Sequence, residues 1–486
     1  MAKPGLTPGS EMDGYHIGEL IHKGGMARLW SVTKPGIDMP LIMKVPLLGE
    51  GGDPAAIVSF EMEQMIMARL SGPHVPEFVA AGDFAVHPYI VMERLSGSSL
   101  LPRLKELPLP YVEVAQLGWK IATALDDLHR QNVIHLDIKP SNVLFRPSGE
   151  AVLIDFGLSR HLQLPDLMQE EFHLPYGTAP YMAPEQLQGV RHDPRSDQFA
   201  LGVLLYFFST GERPFGESER LGIMKKRLWR DPKPPKMIKP DYPPWLQEIV
   251  LRCLEVEPAA RYPSAAHLAF ELSNHSQIKL TARARRKAPD SFFTVMKRRF
   301  NPDFKKDWTP RTVATPLPAA PIVAVAVDLS GDTDAETNTA VRDAALRALA
   351  QVPGGRLACI NVLKQGFIST LDSALDGEGH NKHVNRLVGL QHWAQPLKLR
   401  EGRITFHVLE APDAAQAILN YAQLNRVDHI VIAARQSPRR RALMGSVCAR
   451  IASEASCTVT VVRPRRASGA ARAEDSSVPG ETTLPV

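Results

Sequence analysis

Cysteine is scarce in this chain of 486 residues, with only four, at positions 253, 359, 448 and 457. No two of them have the Cys-x-x-Cys spacing of a metal site, and four thiols do not make the dense disulfide framework of a small secreted domain. Long apolar runs are also missing, since stretches such as 201–208 and 322–327 fall far short of the ~20 residues that cross a bilayer. The first 14 residues contain proline and glycine but no apolar signal core. These absences predict a cytoplasmic protein without a membrane span.

Two polar motifs near the middle of the chain indicate phosphoryl-transfer chemistry. Residues 135–142 read His-Leu-Asp-Ile-Lys-Pro-Ser-Asn, and Asp-Phe-Gly begins at Asp155, thirteen residues after Asn142. Transfer from ATP needs a carboxylate to orient the acceptor hydroxyl, oxygen ligands for a metal and a cation on the phosphates. Asp137 is the candidate base, and Lys139 lies two residues away, within reach of the transferred group. Asn142 and Asp155 are the candidate Mg²⁺ ligands, because this hard ion takes carboxylate and amide oxygens.

This pair of motifs resembles the catalytic core of a protein kinase, and further motifs of that family occur upstream in the expected order. Residues 21–30 resemble the glycine-rich loop, where missing side chains let backbone N–H groups approach phosphates. Lys44 ends a short apolar run and is the candidate for the contact with the α- and β-phosphates. An amphipathic helix over 59–70 places Glu63 where the family has the acid that pairs with this lysine. The resemblance implies nucleotide contacts from the loop at Ile21, Gly24, Gly25, Met26 and Leu29, and from the hinge at Met92, Glu93 and Leu95.

Downstream, residues 177–185 resemble the end of an activation segment, which distinguishes protein kinases from small-molecule kinases. The resemblance also implies that Asp197 braces the catalytic loop and that Arg261 pairs with Glu185. It covers residues 15–272, and Lys139 is typical of serine/threonine kinases. We therefore expect a bilobal α+β kinase domain that uses Mg-ATP, phosphorylates proteins and also itself.

Three residues of the nucleotide site depart from the family pattern. His22 and Ala27 replace the first and third loop glycines, while Ile42 stands where the family usually has alanine against the adenine ring. Extra methylenes in a fitted pocket typically cost ~1 to 3 kcal/mol. We expect weakened or reshaped ATP binding.

A further departure concerns regulation. Leu136 occupies the position of the family's arginine, which pairs with a phosphorylated residue in the activation loop. Residues 161–175 contain no serine, threonine or tyrosine, and they carry the acidic residues Asp166, Glu170 and Glu171. We expect a kinase that is not activated by phosphorylation of this loop. A pseudokinase that senses nucleotide and acts as a scaffold in stress signalling is the alternative.

Residues 273–318 form a basic connector. From 273 to 316 there are eleven lysines and arginines against three aspartates. A solvated linker is one interpretation, whereas the aromatic residues at 292, 293, 300, 304 and 308 favour docking onto a protein surface. Nucleic-acid binding is disfavoured because no recognition motif accompanies the charge.

The remainder of the chain predicts a second domain over 319–465, followed by a disordered tail over 466–486, while 1–14 is predicted to be flexible. Apolar runs predict strands at 321–328, 357–363, 404–409, 429–433 and 458–463, with helices at 337–349 and 414–424. This βα repetition predicts an α/β doubly wound parallel sheet.

The segments 428–433, 444–447 and 455–463 resemble the universal stress protein family, so that the whole chain resembles a bacterial serine/threonine kinase with such a domain attached. Nucleotide-binding members carry two glycines upstream of a Gly-Ser pair, and those positions fall near Ala433 and Gln436 here. Only Gly445 and Ser446 remain. We expect a regulatory or interaction domain rather than an ATP site, and the resemblance makes a homodimer through this domain a further expectation.

Overall fold

A computed structural model describes residues 6–47, 54–83, 87–172, 175–216, 220–300, 320–329, 335–364, 381–400, 402–434 and 446–463. The N-terminal lobe is a six-stranded sheet in the order β1-β2-β3-β4-β6-β5, with one helix beside it. Its elements are β1 (Glu11–Met12), β2 (Tyr15–Lys23), β3 (Ala27–Lys34), β4 (Ile37–Pro46), α1 (Pro54–Met67), β5 (Phe78–Ala81) and β6 (Ile90–Glu93).

The sequence of the first lobe explains both its sheet and its helix. Burial alternates along the strands, as at Trp30 and Val32 on β3 and at Leu41 and Met43 on β4, so one face packs as a small core. The predicted helix 59–70 begins earlier, at Pro54, because proline suits the first helical position. It ends earlier too, because the residues after Met67 close with tighter i to i+3 bonds.

The second lobe is mainly helical and carries three short two-residue or three-residue strand pairs along the cleft. Its strands are β7 (Ser98–Ser99), β8 (Val133–Ile134), β9 (Val143–Phe145), β10 (Ala151–Leu153) and β11 (Arg160–His161). Its helices are α2 (Tyr111–Arg130), α3 (Leu167–Glu171), α4 (Arg195–Thr210), α5 (Leu221–Met224), α6 (Pro235–Ile238), α7 (Pro244–Cys253), α8 (Ala265–Ser273), α9 (Ala282–Arg285) and α10 (Phe292–Phe300). β9 pairs with β10, and β8 pairs with β11, so the catalytic loop and the Asp155 loop lie side by side between paired strands.

The C-terminal domain is a five-stranded, wholly parallel sheet in the order β14-β13-β12-β15-β16. Its elements are β12 (Ile322–Ala326), α11 (Ala335–Ala350), β13 (Arg356–Lys364), α12 (Lys382–Ala394), β14 (Ile404–Ala411), α13 (Ala414–Leu424), β15 (His429–Ala433), α14 (Ser446–Glu454) and β16 (Thr458–Val462). The predicted α/β doubly wound sheet is confirmed, with every predicted strand present. Gln436 and Gly445 lie outside the described residues.

Helix α12 is absent from the sequence prediction although its sequence carries two helical signals. Asn381 caps its first turn, accepting hydrogen bonds from the backbone N–H groups of His383 and Val384. Leu387, Leu390 and Trp393 then recur every third residue and are buried.

The first part of the basic connector is folded onto the second lobe. Arg283 contacts Glu248 at 2.9 Å and Glu255 at 2.7 Å, and Arg286 contacts Asp231 at 2.8 Å. The aromatic residues that favoured docking do not make the contacts, since Phe292, Phe293 and Phe300 are 71%, 83% and 68% exposed. Charge pairing holds this segment instead, and positions 304 and 308 lie outside the described residues. In the described part of the chain, no helix combines the length and apolarity needed to cross a membrane.

A buried ion pair ties the activation segment to the second lobe, as the family resemblance predicts. The guanidinium of Arg261 donates to both carboxylate oxygens of Glu185, at 2.6 and 2.8 Å, and both side chains are 0% exposed. Ser196 also donates to Glu185 at 2.8 Å. A pair this deeply buried fixes one arrangement, because either partner alone is a buried charge without compensation.

We predict that Arg261→Met lowers the free energy of unfolding of the kinase region by about 3 to 5 kcal/mol, since it strands the Glu185 carboxylate in the interior. Urea denaturation measures the change. Arg130→Met is the matched control, because the Arg130 side chain is 72% exposed beside Asp126 and its loss costs under ~1 kcal/mol. Equal changes in the two variants would contradict the prediction.

Candidate active site

The cleft between the lobes brings Lys44, Glu63 and Asp155 together from three separate elements. Lys44 Nζ, on β4, lies 2.5 Å from Glu63 Oε2, on α1, and 3.0 Å from Asp155 Oδ1. Burial opposes the charged form of the lysine, but the carboxylates of Glu63 and Asp155 outweigh it and raise the pKa of Lys44. Lys44 in turn lowers the pKa of Asp155. The geometry therefore holds a permanent cation beside a permanent carboxylate at physiological pH.

Helix α1 also approaches the Asp155 loop closely at Gly157. A Cβ atom built on Gly157 would lie 2.2 Å from Ser59 Oγ and 3.3 Å from the Ser59 carbonyl oxygen. A side chain at position 157 would force the Ser59 hydroxyl to move and would still lie close to the backbone of the helix. Glycine as the third residue of the Asp-Phe-Gly motif thus favours close packing of the loop against helix α1.

Asp197 holds the catalytic loop in place through hydrogen bonds to its backbone, as the resemblance predicts. Its Oδ1 accepts the backbone N–H of Leu136 at 2.8 Å, and its Oδ2 accepts that of His135 at 2.9 Å. The ring nitrogen Nε2 of His129 lies 2.9 Å from the same Oδ2. These bonds hold Leu136 in the left-handed region, with φ of 63°, which directs the next residue into the cleft.

Four hydrogen bonds orient the Asp137 carboxylate. Oδ1 accepts the backbone N–H of Thr178 at 2.9 Å and its hydroxyl at 2.7 Å, while Oδ2 accepts Lys139 Nζ at 2.6 Å and Asn142 Nδ2 at 3.2 Å. Lys139 also donates to the Thr178 hydroxyl at 3.1 Å. Sequence reasoning missed Thr178, although it lies in the recognised segment, because its role depends on a contact across 41 residues of chain.

Asn142 and Asp155 present the oxygen ligands that Mg²⁺ prefers. The amide nitrogen of Asn142 is committed to Asp137, at 3.0 Å from its carbonyl and 3.2 Å from Oδ2, so the amide orientation is fixed. The Asp155 side chain is about half exposed, at 47%, and Lys44 keeps it ionised. One amide oxygen and one carboxylate fit an ion that shares its remaining ligands with phosphates and water.

The glycine-rich residues predicted to contact nucleotide lie at the turn between β2 and β3. Gly24 N–H donates to the Ala27 carbonyl at 2.9 Å, which closes the turn between β2 and β3. A Cβ built on Gly25 would meet no described atom, so space is open above this turn. Ile21 and Met26 are exposed, and Leu29 is half-buried on β3. His22 lies beside the turn, with Nε2 3.6 Å from a Cβ built on Gly24.

Ile42 and Met92 are direct cross-strand partners on β4 and β6, and both pack with the main apolar core. Glu93 begins the predicted hinge. Its backbone N–H donates to the Glu77 carbonyl at 2.9 Å, and its carboxylate binds Arg146, with one contact at 2.8 Å. Leu95 follows two residues later, and the N–H of the intervening Arg94 donates to the Pro40 carbonyl.

Comparison with known proteins agrees with both parts of this architecture. Residues 15–275 match the protein kinase domain model, and residues 321–463 match the universal stress protein family. The serine/threonine-protein kinase pkn3 of Myxococcus xanthus is 32% identical over 272 residues, which cover 53% of this chain and 49% of the relative. PknL of Mycobacterium bovis is 31% identical over 259 residues, covering 53% of this chain and 64% of the relative.

The chain thus spans less than two thirds of the length of these curated relatives, at 49% and 64%. A crystal structure of the PknI kinase domain from Mycobacterium tuberculosis is 25% identical, with 56% of this chain and 99% of that one covered and a TM-score of 0.44. The two resemblances predicted from the sequence are confirmed by the family matches. Because the kinase match extends over more than half of its length, the chain belongs to the protein kinase family.

Proposed function

We propose that this chain is a serine/threonine protein kinase that transfers the γ-phosphoryl group of Mg-ATP to protein hydroxyls, including its own. The observation that carries the proposal is the simultaneous engagement of Lys44 with Glu63 and Asp155, at 2.5 and 3.0 Å, in the same structure that orients Asp137 by four hydrogen bonds. Phosphoryl transfer depends on such positioning more than on covalent chemistry by the protein.

Each polar residue has a distinct task in this proposal. Backbone groups of Glu93 and Leu95 bind adenine beneath Met92, and the Gly24–Gly25 turn lies over the phosphates. Lys44 binds the α- and β-phosphates, and Asn142 and Asp155 hold Mg²⁺, which neutralises charge on the phosphates when bound. Asp137 orients the acceptor hydroxyl and accepts its proton, while Lys139 stabilises charge on the transferred group.

Several further statements belong to the same proposal. The C-terminal domain is regulatory, and the protein acts in the cytoplasm, where free thiols persist; none of the four cysteines forms a disulfide in the structure. Dimerisation through the C-terminal domain stays a prediction. Weakened or reshaped ATP binding, caused by Ile42 in place of the family's usual alanine, also stays a prediction.

Asp137→Asn tests the proposed base. We expect phosphate incorporation into a protein substrate to fall about 10²-fold or more, because the amide cannot accept the proton, while ATP affinity is kept. Radiolabelled ATP measures transfer and calorimetry measures binding. Asp38→Asn, at an exposed position, is the control and retains activity. Equal incorporation by wild type and Asp137→Asn would instead favour the nucleotide-sensing pseudokinase.

Thr178→Ala and Thr178→Ser distinguish the effect of the Thr178 hydroxyl on the position of Asp137 from the effect of side-chain size. The alanine variant loses the hydroxyl that donates to Asp137 at 2.7 Å, and we expect kcat to fall about tenfold or more with KM for ATP unchanged. The serine variant keeps the hydroxyl and retains most of the activity. Steady-state kinetics decides, and identical kcat values for the two variants would show that the hydroxyl does not position the base.

The absence of an acceptor hydroxyl between 161 and 175 leads to a third test. Phosphatase-treated protein should phosphorylate a peptide at the same initial rate as untreated protein, because no loop phosphate is required. Mass spectrometry verifies that phosphate has been removed. A lag that disappears after preincubation with Mg-ATP would show that phosphorylation activates the enzyme and would overturn this part of the proposal.

A further inference from the structure

The short helix α3 of the activation segment packs between the kinase lobe and the C-terminal domain. Leu167 and Met168 are each 1% exposed and belong to an apolar cluster that continues into the second domain's sheet. Helix α3 touches α1 on one side and β14 and α13 on the other. Asp166 caps the helix, accepting the Gln169 N–H at 3.2 Å, and pairs with Arg191 at 2.8 Å. The segment is thus ordered by both domains at once.

Two consecutive acids of α3 enter polar contacts with the second domain. We call the five residues involved the docking cluster: Glu170 and Glu171 with Arg356, His407 and Tyr421. Arg356 forms an ion pair with Glu170 and also donates to Thr405 at 2.8 Å. The Tyr421 hydroxyl donates to Glu170 Oε2 at 3.1 Å.

His407 completes the docking cluster by reaching both acids. Its Nδ1 lies 3.0 Å from Glu171 Oε1, and its Nε2 lies 3.3 Å from Glu170 Oε2. Asn425 adds a bond from its side chain to the Glu170 carbonyl at 3.2 Å. Burial raises the pKa of Glu171 to about 7, and the contact with His407 opposes this rise. An acid with such a desolvation cost enters an interface only when polar partners are arranged to receive it.

The docking cluster pairs an acidic group of the activation loop with a cation, as a phosphorylated loop does, but here the cation comes from the other domain. Leu136 is 4% exposed and apolar, so the catalytic loop offers no cation for a loop anion. The acidic groups of the loop here are the side chains of Glu170 and Glu171, which need no modifying enzyme. Their cation, Arg356, comes from β13 of the other domain.

The docked arrangement coincides with an aligned catalytic site. Helix α1, which α3 touches, carries Glu63 in contact with Lys44 at 2.5 Å. Strand β11, at the start of the activation segment, pairs with β8, and Thr178 at its other end holds Asp137. The docked arrangement is therefore compatible with the competent geometry.

We propose that the docking cluster makes the C-terminal domain a built-in activator, which orders the activation segment in place of a loop phosphate. This inference rests on the kinase function proposed above and names the surface through which the second domain regulates it. Release of Glu170 and Glu171 leaves α3 without its outer support and lowers turnover. The partner is the domain of the same chain, recognised through one guanidinium, one imidazole and one phenol.

The test compares full-length wild type with Arg356→Met and Glu170→Gln. We expect each single variant to reduce kcat for a peptide substrate about tenfold or more, because each removes a charge-assisted contact. The loss of kcat in the double variant should be no larger than the loss in the more impaired single variant, because both changes break the same interaction between Arg356 and Glu170. Hydrogen exchange of the peptide covering 160–172 should quicken in all three, while the affinity for ATP changes little.

Arg403→Met is the matched control, because Arg403 is exposed just before β14 and should alter neither kcat nor exchange. Unchanged kcat in Arg356→Met together with unchanged exchange would overturn the docking cluster as an activator. Raised kcat with faster exchange would overturn it too, by showing that the domain acts as a brake. Additive losses in the double variant would show that the residues act separately.

Tyr421→Phe decides the question if a buried-charge variant fails to fold. It removes only the hydroxyl donor to Glu170 and should lower kcat several-fold with faster exchange of 160–172; no change in either would count against the proposal. Two failures are distinguishable. A wild type that transfers no phosphate overturns the kinase function, whereas an active wild type that tolerates all three changes overturns the activator alone.

Discussion

The carboxylate of Asp197 is the constraint on which the active site depends. It is 0% exposed and receives two backbone N–H groups of the catalytic loop, from His135 and Leu136. A buried carboxylate of this kind is stable only with its donors in place, so loop and helix α4 specify each other. The left-handed backbone at Leu136 follows from this bracing, and so does the direction of Asp137. Asp137 then lies within hydrogen-bonding distance of Lys139, Asn142 and Thr178.

Sequence reasoning reached the residues whose role is written in local motifs. Lys44, Asp137 and Asp155 each lie in a short pattern with a chemical requirement, and the apolar runs of the C-terminal domain reveal buried parallel strands without tertiary information. The contact between Arg356 and Glu170 has no such signal, because 186 residues separate the partners and neither belongs to a motif. The sequence shows that the loop is acidic, but it does not show that the C-terminal domain binds these acidic side chains. For the connector, composition indicated contact, yet only the packing shows that arginines make it while Phe292, Phe293 and Phe300 stay exposed.

The second domain's role in the structure follows from where charge is buried. Burying ions seldom adds much stability compared with an apolar contact, but it discriminates strongly among arrangements, since a misplaced carboxylate lacks a partner. At the interface of the two domains, Glu170 has contacts with Arg356, Tyr421 and His407 together. Leu167 and Met168 contribute buried apolar area to the interface, and the polar groups determine how the two domains are aligned. An anion encoded in the sequence also cannot be removed by a phosphatase, so under the proposed activation any control would act on the docking of the two domains.

The close approach of Gly157 to Ser59 has a mechanical consequence. A Cβ on Gly157 would lie 2.2 Å from Ser59 Oγ and 3.3 Å from the Ser59 carbonyl oxygen, so the Asp-Phe-Gly loop packs closely against helix α1 at Ser59. Closely packed interiors transmit strain rather than yield to it. A displacement of helix α1 is therefore expected to reach the segment that carries Asp155. A push that reaches α1 through α3 arrives at the carboxylate proposed to hold the metal ion, and it arrives there without any hydrogen bond having to relay it.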